Sequence, residues 1–363
     1  MRFPEFHGEW EKCKLGDIAT LTKGSGISKD QRSATGTPCI LYGELYTTYK
    51  SEVIDYVVSK TDISDKNLVR SSANDIIIPS SGETAIDIST ARCVLSPDVL
   101  LGGDLNIIRL KDGDGRFFSY QLNGVRKHDI AKIAQGVSVV HLYGESIKGL
   151  TVSFPSNKEQ QKISTLLSLI DERIATQSKL IEKLESLIKG IAQKIVRNKP
   201  NVRLAECLEC KSSTLQESEV CEQGTYPVYG ANGIVGFLDN YSTEGEAVYI
   251  IKDGSGVGTV SYVTGKCSAT GTLNTLQAKE GYSLQYFYYL LKVFNFEPYK
   301  TGMAIPHIYF KDYGKAKVFC PSYTEQLQYA RLLSAIDNKL SAERHILTNL
   351  SLQKQYLLRL MFI

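Results

Sequence analysis

Two stretches of the sequence repeat one pattern: residues 155–171 read PSNKEQQKISTLLSLID, and residues 321–337 read PSYTEQLQYARLLSAID. Nine of the 17 aligned positions are identical at a constant offset of 166 residues (321 − 155). The match continues upstream without a gap, since residues 141–143 (HLY) return as residues 307–309 (HIY). Such a block predicts a tandem duplication of one structural unit.

Each repeated stretch opens a long helix in which apolar residues recur in alternating steps of four and three. This heptad pattern is the signature of a coiled-coil seam. The predicted seam positions are Ile163, Leu167, Ile170, Ile174, Gln177, Ile181 and Leu184 in the first helix, and Leu333, Ile336, Leu340, Glu343, Leu347 and Leu350 in the second. Roughly 40 residues at ~1.5 Å each give a rod of about 60 Å. That length favours two helices packed on each other over the alternative, an amphipathic helix lying on a globular core.

Gln177 and Glu343 are polar members of this seam, and they are equivalent at the 166-residue offset. Residues equidistant from the midpoints of an antiparallel pair meet, so we predict that these two side chains face each other. A single polar layer fixes the register of an apolar seam at some cost in stability. The alternative is that Glu343 turns out to solvent.

The segments before each helix have a different character. They hold short β-branched or aromatic runs bounded by turn residues, such as DIIIPSSG at residues 75–82 and AVYIIKDGSG at residues 247–256. The predicted fold class is therefore α+β, with two β-rich globular domains joined by two long antiparallel helices and an internal pseudo-two-fold repeat. The predicted division is 1–154 and 200–320 for the globular domains, and 155–199 and 321–363 for the helices.

Composition sets broad bounds on the function. The chain has 363 residues, 42% of them apolar, a net charge of +3, and eight cysteines with no disulfide-framework spacing. No apolar run is long enough for a membrane span, and the N-terminus lacks a signal-peptide core, so we expect a cytoplasmic protein without a membrane partner.

No catalytic or metal site can be assembled from the sequence. The glycine-rich run at residues 254–258 lacks the Lys-Ser/Thr of a nucleotide loop and reads as a β-turn. Cys207 and Cys210 are spaced like half of a zinc site, but no second ligand pair follows at suitable spacing. The sequence therefore predicts a protein that binds or organises something.

The chain resembles the specificity (S) subunit of type I restriction–modification systems. The resemblance spans the whole chain. It includes the opening RFPEFHGEWEKCKLGDIATLTKG at residues 2–24, the two PSxxEQ blocks with their heptad helices, and the ending LLRLMFI at residues 357–363.

This resemblance implies that each globular domain is a target-recognition domain for one half of a split site in double-stranded DNA. The coiled coil would act as spacer and as platform for two methyltransferase subunits, to which restriction subunits add. S-adenosylmethionine, ATP and magnesium would belong to those partners, with no cofactor on this chain. The alternative function is a coiled-coil adaptor for protein partners without DNA.

The charge distribution fits DNA binding only in part. The helix at residues 156–199 carries nine Lys and Arg against five Asp and Glu, whereas residues 200–321 carry ten against twelve. Counterion release from the globular domains is therefore modest, and we expect the isolated chain to bind DNA weakly.

Base readers are usually polar side chains on loops. The predicted DNA contacts are Lys23, Ser25, Tyr42, Ser80, Ser81, Thr84, Ser138 and His141 in the first domain, and Tyr229, Asn232, Lys252, Ser255, Thr301 and His307 in the second. For each the alternative is an ordinary solvated turn residue. His141 and His307 occupy equivalent positions in the two domains. They are therefore also candidates for a structural or phosphate-binding role.

Overall fold

The computed structural model describes residues 2–64, 67–302 and 304–362. It divides into two compact units. Unit 1 comprises residues up to 178 and those from 346 onward, and unit 2 comprises residues 179–345. The α+β class with two β-rich domains and two long helices is confirmed. The predicted four-part division stays a prediction, because each long helix contributes residues to both units.

Within its described residues, unit 1 begins with twelve strands and six short helices. The strands are β1 (Glu11–Lys14), β2 (Ala19–Lys23), β3 (Thr37–Ile40), β4 (Val53–Ile54), β5 (Lys60–Thr61), β6 (Asp75–Pro79), β7 (Ser81–Gly82), β8 (Arg92–Val94), β9 (Leu100–Leu101), β10 (Leu105–Leu110), β11 (Val140–His141) and β12 (Thr151–Phe154). The helices are α1 (Leu15–Ile18), α2 (Glu44–Thr47), α3 (Ala85–Ile88), α4 (Gly115–Asn123), α5 (Lys127–Ile133) and α6 (Gly144–Lys148).

The main sheet of unit 1 has the strand order β2-β10-β6-β8-β4. Its central strand β6 is an unbroken apolar run because both of its faces are covered. Ile76 and Ile78 face one hydrophobic cluster, and Ile77 faces the other. The first of these clusters also contains Phe117 and Phe118 of α4, which therefore cover that face of the sheet.

Unit 2 repeats this plan, with nine strands and three short helices among the residues that the structure describes. The strands are β13 (Val202–Arg203), β14 (Leu208–Ser212), β15 (Tyr226–Gly230), β16 (Gly233–Leu238), β17 (Glu246–Ile251), β18 (Val260–Thr264), β19 (Ser268–Ala269), β20 (Leu273–Ala278) and β21 (Lys317–Val318). The helices are α8 (Leu204–Cys207), α9 (Leu284–Leu291) and α10 (Phe310–Tyr313). Its main sheet has the order β14-β20-β17-β18, which matches β2-β10-β6-β8 strand for strand.

The two long helices are α7 (Asn157–Val196) and α11 (Tyr323–Met361). In unit 1, Ile163, Leu167 and Ile170 of α7 share a hydrophobic cluster with Leu357 and Met361 of α11. The beginning of one helix therefore lies with the end of the other, as an antiparallel pair requires. Every predicted seam residue is buried or partly buried, whereas most of the intervening positions are exposed.

The repeated glutamine of the PSxxEQ block fastens each long helix to the short helix before it. Gln160 donates to the Pro155 carbonyl (2.8 Å) and accepts from the backbone N–H of Asp114 at the start of α4 (3.0 Å). Gln326 makes the same two bonds, to the Pro321 carbonyl (3.0 Å) and from the N–H of Ser283 at the start of α9 (2.9 Å). Both amides are 2% exposed.

The aspartate that closes each repeated stretch accepts a phenol hydrogen bond. Tyr120 donates to Asp171 (2.8 Å), and Tyr289 donates to Asp337 (3.3 Å). Burial, and then the neighbouring carboxylate, raises the pKa of the Tyr120 phenol, so it stays a donor. In unit 1 the cation that compensates Asp171 is Lys354 of α11, at 2.6 Å.

Glu343 is buried and pairs with Lys339 one helical turn earlier. The alternative in which Glu343 turns out to solvent is therefore wrong. The predicted pairing of Gln177 with Glu343 stays a prediction.

Candidate nucleic-acid interface

In both units the chain leaving the central strand makes the same pair of backbone hydrogen bonds. Ser80, the residue after β6, donates to the Asp104 carbonyl (2.7 Å) and accepts from the N–H of Leu142 (3.0 Å). Lys252, the residue after β17, donates to the Thr272 carbonyl (3.0 Å) and accepts from the N–H of Ile308 (2.9 Å). Three separate segments therefore meet at one edge of each main sheet.

A hairpin projects from this edge in each unit. Gln135 and His141 exchange two backbone hydrogen bonds (2.9 and 2.7 Å), and Thr301 and His307 exchange another two (2.9 and 2.8 Å). We call residues 135–141 the first hairpin and residues 301–307, apart from Met303, the second. The glycine after each first position has a left-handed φ, +120° and +89° respectively, which glycine adopts without a steric cost.

Apolar side chains occupy the tips of both hairpins. Val137 is 97% exposed and Val139 52% in the first hairpin, and Ile305 is 63% exposed in the second. Ser138 of the first hairpin and Thr301 of the second are exposed as well. Val139 and Ile305 are equivalent at the 166-residue offset, so an exposed apolar side chain at the tip is common to both units and makes the tips candidates for a contact surface.

The two equivalent histidines lie at the base of the hairpins and contact tyrosines, His141 by stacking and His307 edge to face. The ring centroid of His141 lies 6.3 Å from that of Tyr143, and the His307 centroid lies 5.6 Å from that of Tyr309. His141 pairs with Ser81 across the short sheet β7–β11, so two predicted contacts are neighbours. Both histidines therefore help to build the hairpin base, consistent with the alternative of a structural role.

Unit 1 also has a cleft of about 740 Å³ next to this edge. We call it the Tyr42 cleft; its lining includes Lys29, Arg32, Tyr42, Glu44, Tyr46 and Asp104. Asp104 connects the cleft to the hairpin edge, because its carbonyl accepts the Ser80 bond. Tyr42 and Tyr46 are each more than one-third exposed, so the cleft offers aromatic faces together with a guanidinium.

Comparisons with known proteins decide the family. The sequence profile described as "Type I restriction modification DNA specificity domain" matches residues 7–186 and again residues 198–352. The chain belongs to this family. Specificity subunits of type I restriction–modification systems carry no catalytic activity of their own, and this chain is accordingly a DNA-specificity protein and not an enzyme.

Individual relatives agree with the family. A Mycoplasma genitalium protein named as a type I specificity subunit is 24% identical over 97% of this chain and 94% of its own length. The specificity subunit of the Escherichia coli type I restriction enzyme EcoprrI is 28% identical over 32% of this chain and 29% of its own.

Solved structures show the same fold. The crystal structure of a type I S subunit from M. genitalium has a TM-score of 0.72 and 21% identity, covering 100% of this chain and 99% of that one. A chain from a structure of type I complex assembly and conformational transition has a TM-score of 0.56 and 14% identity, covering 98% of both chains.

The structure shows which predicted contacts in unit 1 of this specificity subunit are accessible, and their role in binding DNA stays a prediction. Ser80 is only 6% exposed, and its hydroxyl lies against the Asp104 carboxylate (3.5 Å). The Ser25 hydroxyl accepts from the N–H of Val69 (2.8 Å), and the Thr84 hydroxyl caps α3. These two hydroxyls therefore support loops in this structure, while Lys23 at the end of β2 is exposed.

In unit 2 each predicted contact is exposed or half-buried. Asn232 is exposed in the turn between β15 and β16, and Ser255 is exposed in the loop after β17. Tyr229 is half-buried, with its ring 5.6 Å from that of Tyr249. Lys252 is half-buried at the hairpin edge.

No sequence pattern predicts Arg32, Lys29 or Tyr46 as site residues, although they line the Tyr42 cleft. Residues 26–32, 41–48 and 103–104 supply its walls, and no pattern in the sequence links these three segments. Among the described residues no group of three or more His, Cys, Asp or Glu could hold a metal ion. In the same part of the chain no helix has the length and hydropathy of a membrane span.

Proposed function

We propose that this chain is the DNA-recognition subunit of a type I restriction–modification complex, in which each unit reads one half of a bipartite site. The observation that carries this proposal is the repeated hairpin edge. Its backbone bonds are the same in both units, but the side chains presented differ: Gln135 and Ser138 of the first hairpin stand where the second has Thr301 and Ala304. One scaffold with two different sets of readers suits two different half-sites.

The helices supply the second part of the proposal, which is the docking of two methyltransferase subunits. Leu180 of α7 and Ile346 of α11 are equivalent at the 166-residue offset, and they are 37% and 42% exposed. Leu169 and Leu332 add further exposed apolar area, one on each helix. A partner that binds at Leu180 finds an equivalent apolar side chain at Ile346 on the other helix, so two copies of one partner are expected.

The chemistry is then assigned to the partners. Methyl transfer with S-adenosylmethionine would take place on the methyltransferase subunits, and ATP with magnesium would serve the restriction subunits. The double-stranded DNA would be held jointly, since the globular segments of this chain carry few surplus cations. We place the complex in the cytoplasm, where its DNA substrate lies. Family membership favours this function over the adaptor without DNA.

The test is a domain graft in a cell that expresses the complete system. Residues 201–320 are replaced by the equivalent segment of a specificity subunit with a different target, and methylated motifs are mapped across the genome. We expect one half of the motif to change while the other half is kept. A graft into residues 10–154 is the matched control and should change the opposite half. Changes in both halves with either graft, or in neither half, would contradict the proposal.

A further inference from the structure

Arg32 lines the Tyr42 cleft together with Lys29, and its guanidinium is held from one side only. Its Nε donates to the Lys29 carbonyl (3.3 Å), and its Nη1 lies 3.6 Å from a carboxylate oxygen of Glu44. The side chain is 38% exposed. Within the described residues Nη2 has no hydrogen-bond partner, so the outer edge of the guanidinium is available to a ligand in the cleft.

Glu44 is a buried carboxylate whose other partners are neutral. Its residue is 5% exposed, and it accepts hydrogen bonds from the Leu41 N–H (2.9 Å) and from the Ser59 hydroxyl. A buried carboxylate is costly unless it is paired, so Arg32 is the charge that compensates it. The carboxylate therefore fixes the direction of the guanidinium and leaves the outer edge unused.

Unit 2 lacks this arrangement at the equivalent place. Arg32 directly follows a short 3-10 turn (Lys29–Gln31) in which Gln31 caps the N–H of Ser28. The equivalent turn of unit 2 (Glu217–Glu219) is followed by Val220. The guanidinium is thus a property of unit 1 alone, which is expected of a residue that specifies one half-site and not of one that serves both.

We propose that Arg32 reads a guanine in the half-site of unit 1, with Glu44 as its positioning residue. This inference rests on the proposed function of DNA recognition. An arginine with two free donors in a plane matches the O6 and N7 acceptors of guanine, a pairing that no other base offers in the major groove. Lysine cannot reproduce the planar fork, although it keeps the charge.

The experiment uses the complete complex with its methyltransferase subunits. A library of bipartite sites, randomised in the half-site of unit 1, is methylated and sequenced with wild type, Arg32→Ala, Arg32→Lys and Arg70→Ala. Arg70 is an exposed arginine of unit 1 that does not line the cleft, and it is the matched control for charge. For both Arg32 variants we expect the preference for guanine at one position to fall by about tenfold or more, with the other half-site unchanged.

Glu44 is tested as a positioning residue by a double-mutant cycle. Glu44→Gln should lower the guanine preference when Arg32 is present and should have no further effect in the Arg32→Ala background. A merely structural role would move the melting temperature in both backgrounds and leave the ratio of bases unchanged. Melting curves of all variants identify any that fail to fold.

Three outcomes overturn the inference. One is an Arg32→Ala variant that methylates the wild-type motif. Another is an Arg32→Ala variant that loses affinity equally for all sequences and shows a smaller salt dependence, because this result identifies a phosphate contact. The third is an Arg32→Lys variant that keeps the full preference for guanine at this position. If wild type itself methylates without sequence preference, the proposed function fails. If wild type is specific and the Arg32 variants keep the same motif, only this inference fails.

Discussion

Gln160 and Gln326 are single residues on which the attachment of a long helix depends. Each buried amide satisfies one carbonyl and one N–H, and substitution by alanine leaves both backbone groups without a partner. Leaving a buried group unsatisfied costs about 1–3 kcal/mol. We therefore expect Gln160→Ala and Gln326→Ala each to lower the melting temperature by several degrees, measured by differential scanning fluorimetry.

The chain offers a matched control for each of these glutamines. Gln161 and Gln328 lie on the same helices one and two residues further on, and both are exposed. Their replacement by alanine should leave the melting temperature unchanged within about 1 °C, because surface substitutions cost little. If alanine at the two exposed positions lowers the melting temperature as much as alanine at the two buried positions, the effect is explained by helix propensity and not by the hydrogen bonds of the amides.

The repeat identifies these glutamines from the sequence, but it does not give their role. Their partners are backbone atoms of Asp114 and Ser283, which lie 46 and 43 residues earlier in the chain. A backbone group is the same whatever the residue type, so the sequence does not indicate which backbone groups a side chain contacts. The repeat therefore predicts that such a glutamine is important, but not what it contacts. Arg32 and Glu44 present the same difficulty, since folding alone brings them together.

At the scale of elements, the hairpin tips make a prediction about DNA affinity. Val137→Ser removes the most exposed apolar side chain of the first hairpin without touching its hydrogen bonds. If the tip packs on DNA, the complex should lose about three- to tenfold in affinity, the cost of about 1 kcal/mol of lost apolar contact. Fluorescence anisotropy with a labelled duplex containing the cognate site measures this change.

Val58 provides the control for the hairpin tip. It is 56% exposed in unit 1 but belongs to neither the hairpin nor the Tyr42 cleft. Val58→Ser should therefore bind DNA like wild type. Equal losses for the two variants, or an unchanged affinity for Val137→Ser, would show that the tip does not contact DNA.

The elements differ in how well the sequence predicts them. The buried strands β6 and β17 follow from their unbroken apolar runs, and the long helices follow from the heptads, because periodicity reports burial directly. The repeat at residues 141–143 and 307–309 indicates that the two units share this segment, but it does not predict that the segment ends a hairpin. The Tyr42 cleft is not predictable in this way. Unit 2 has no counterpart of Arg32, and the walls of the cleft come from three segments that are distant in the sequence.

On the scale of the whole molecule, the long helices make a prediction about the gap between half-sites. Half-sites on one face of B-DNA lie about one helical turn, roughly 34–36 Å, apart. One additional heptad after Gln177 and another after Glu343 lengthen both helices by about 10.5 Å while keeping the seam in register. We expect the preferred gap to grow, by up to about three base pairs of length, while the bases read in each half stay the same.

Methylome mapping of cells that express the lengthened subunit with its partners measures the gap and the bases together. A heptad inserted in α7 alone is the control, because it offsets the seam residues of one helix against the other and should lower the melting temperature and abolish methylation. A lengthened subunit that folds and methylates with the original gap would show that the helices do not set the spacing. A change in the bases read would instead place part of the recognition on the helices, contrary to the division of labour proposed for this chain.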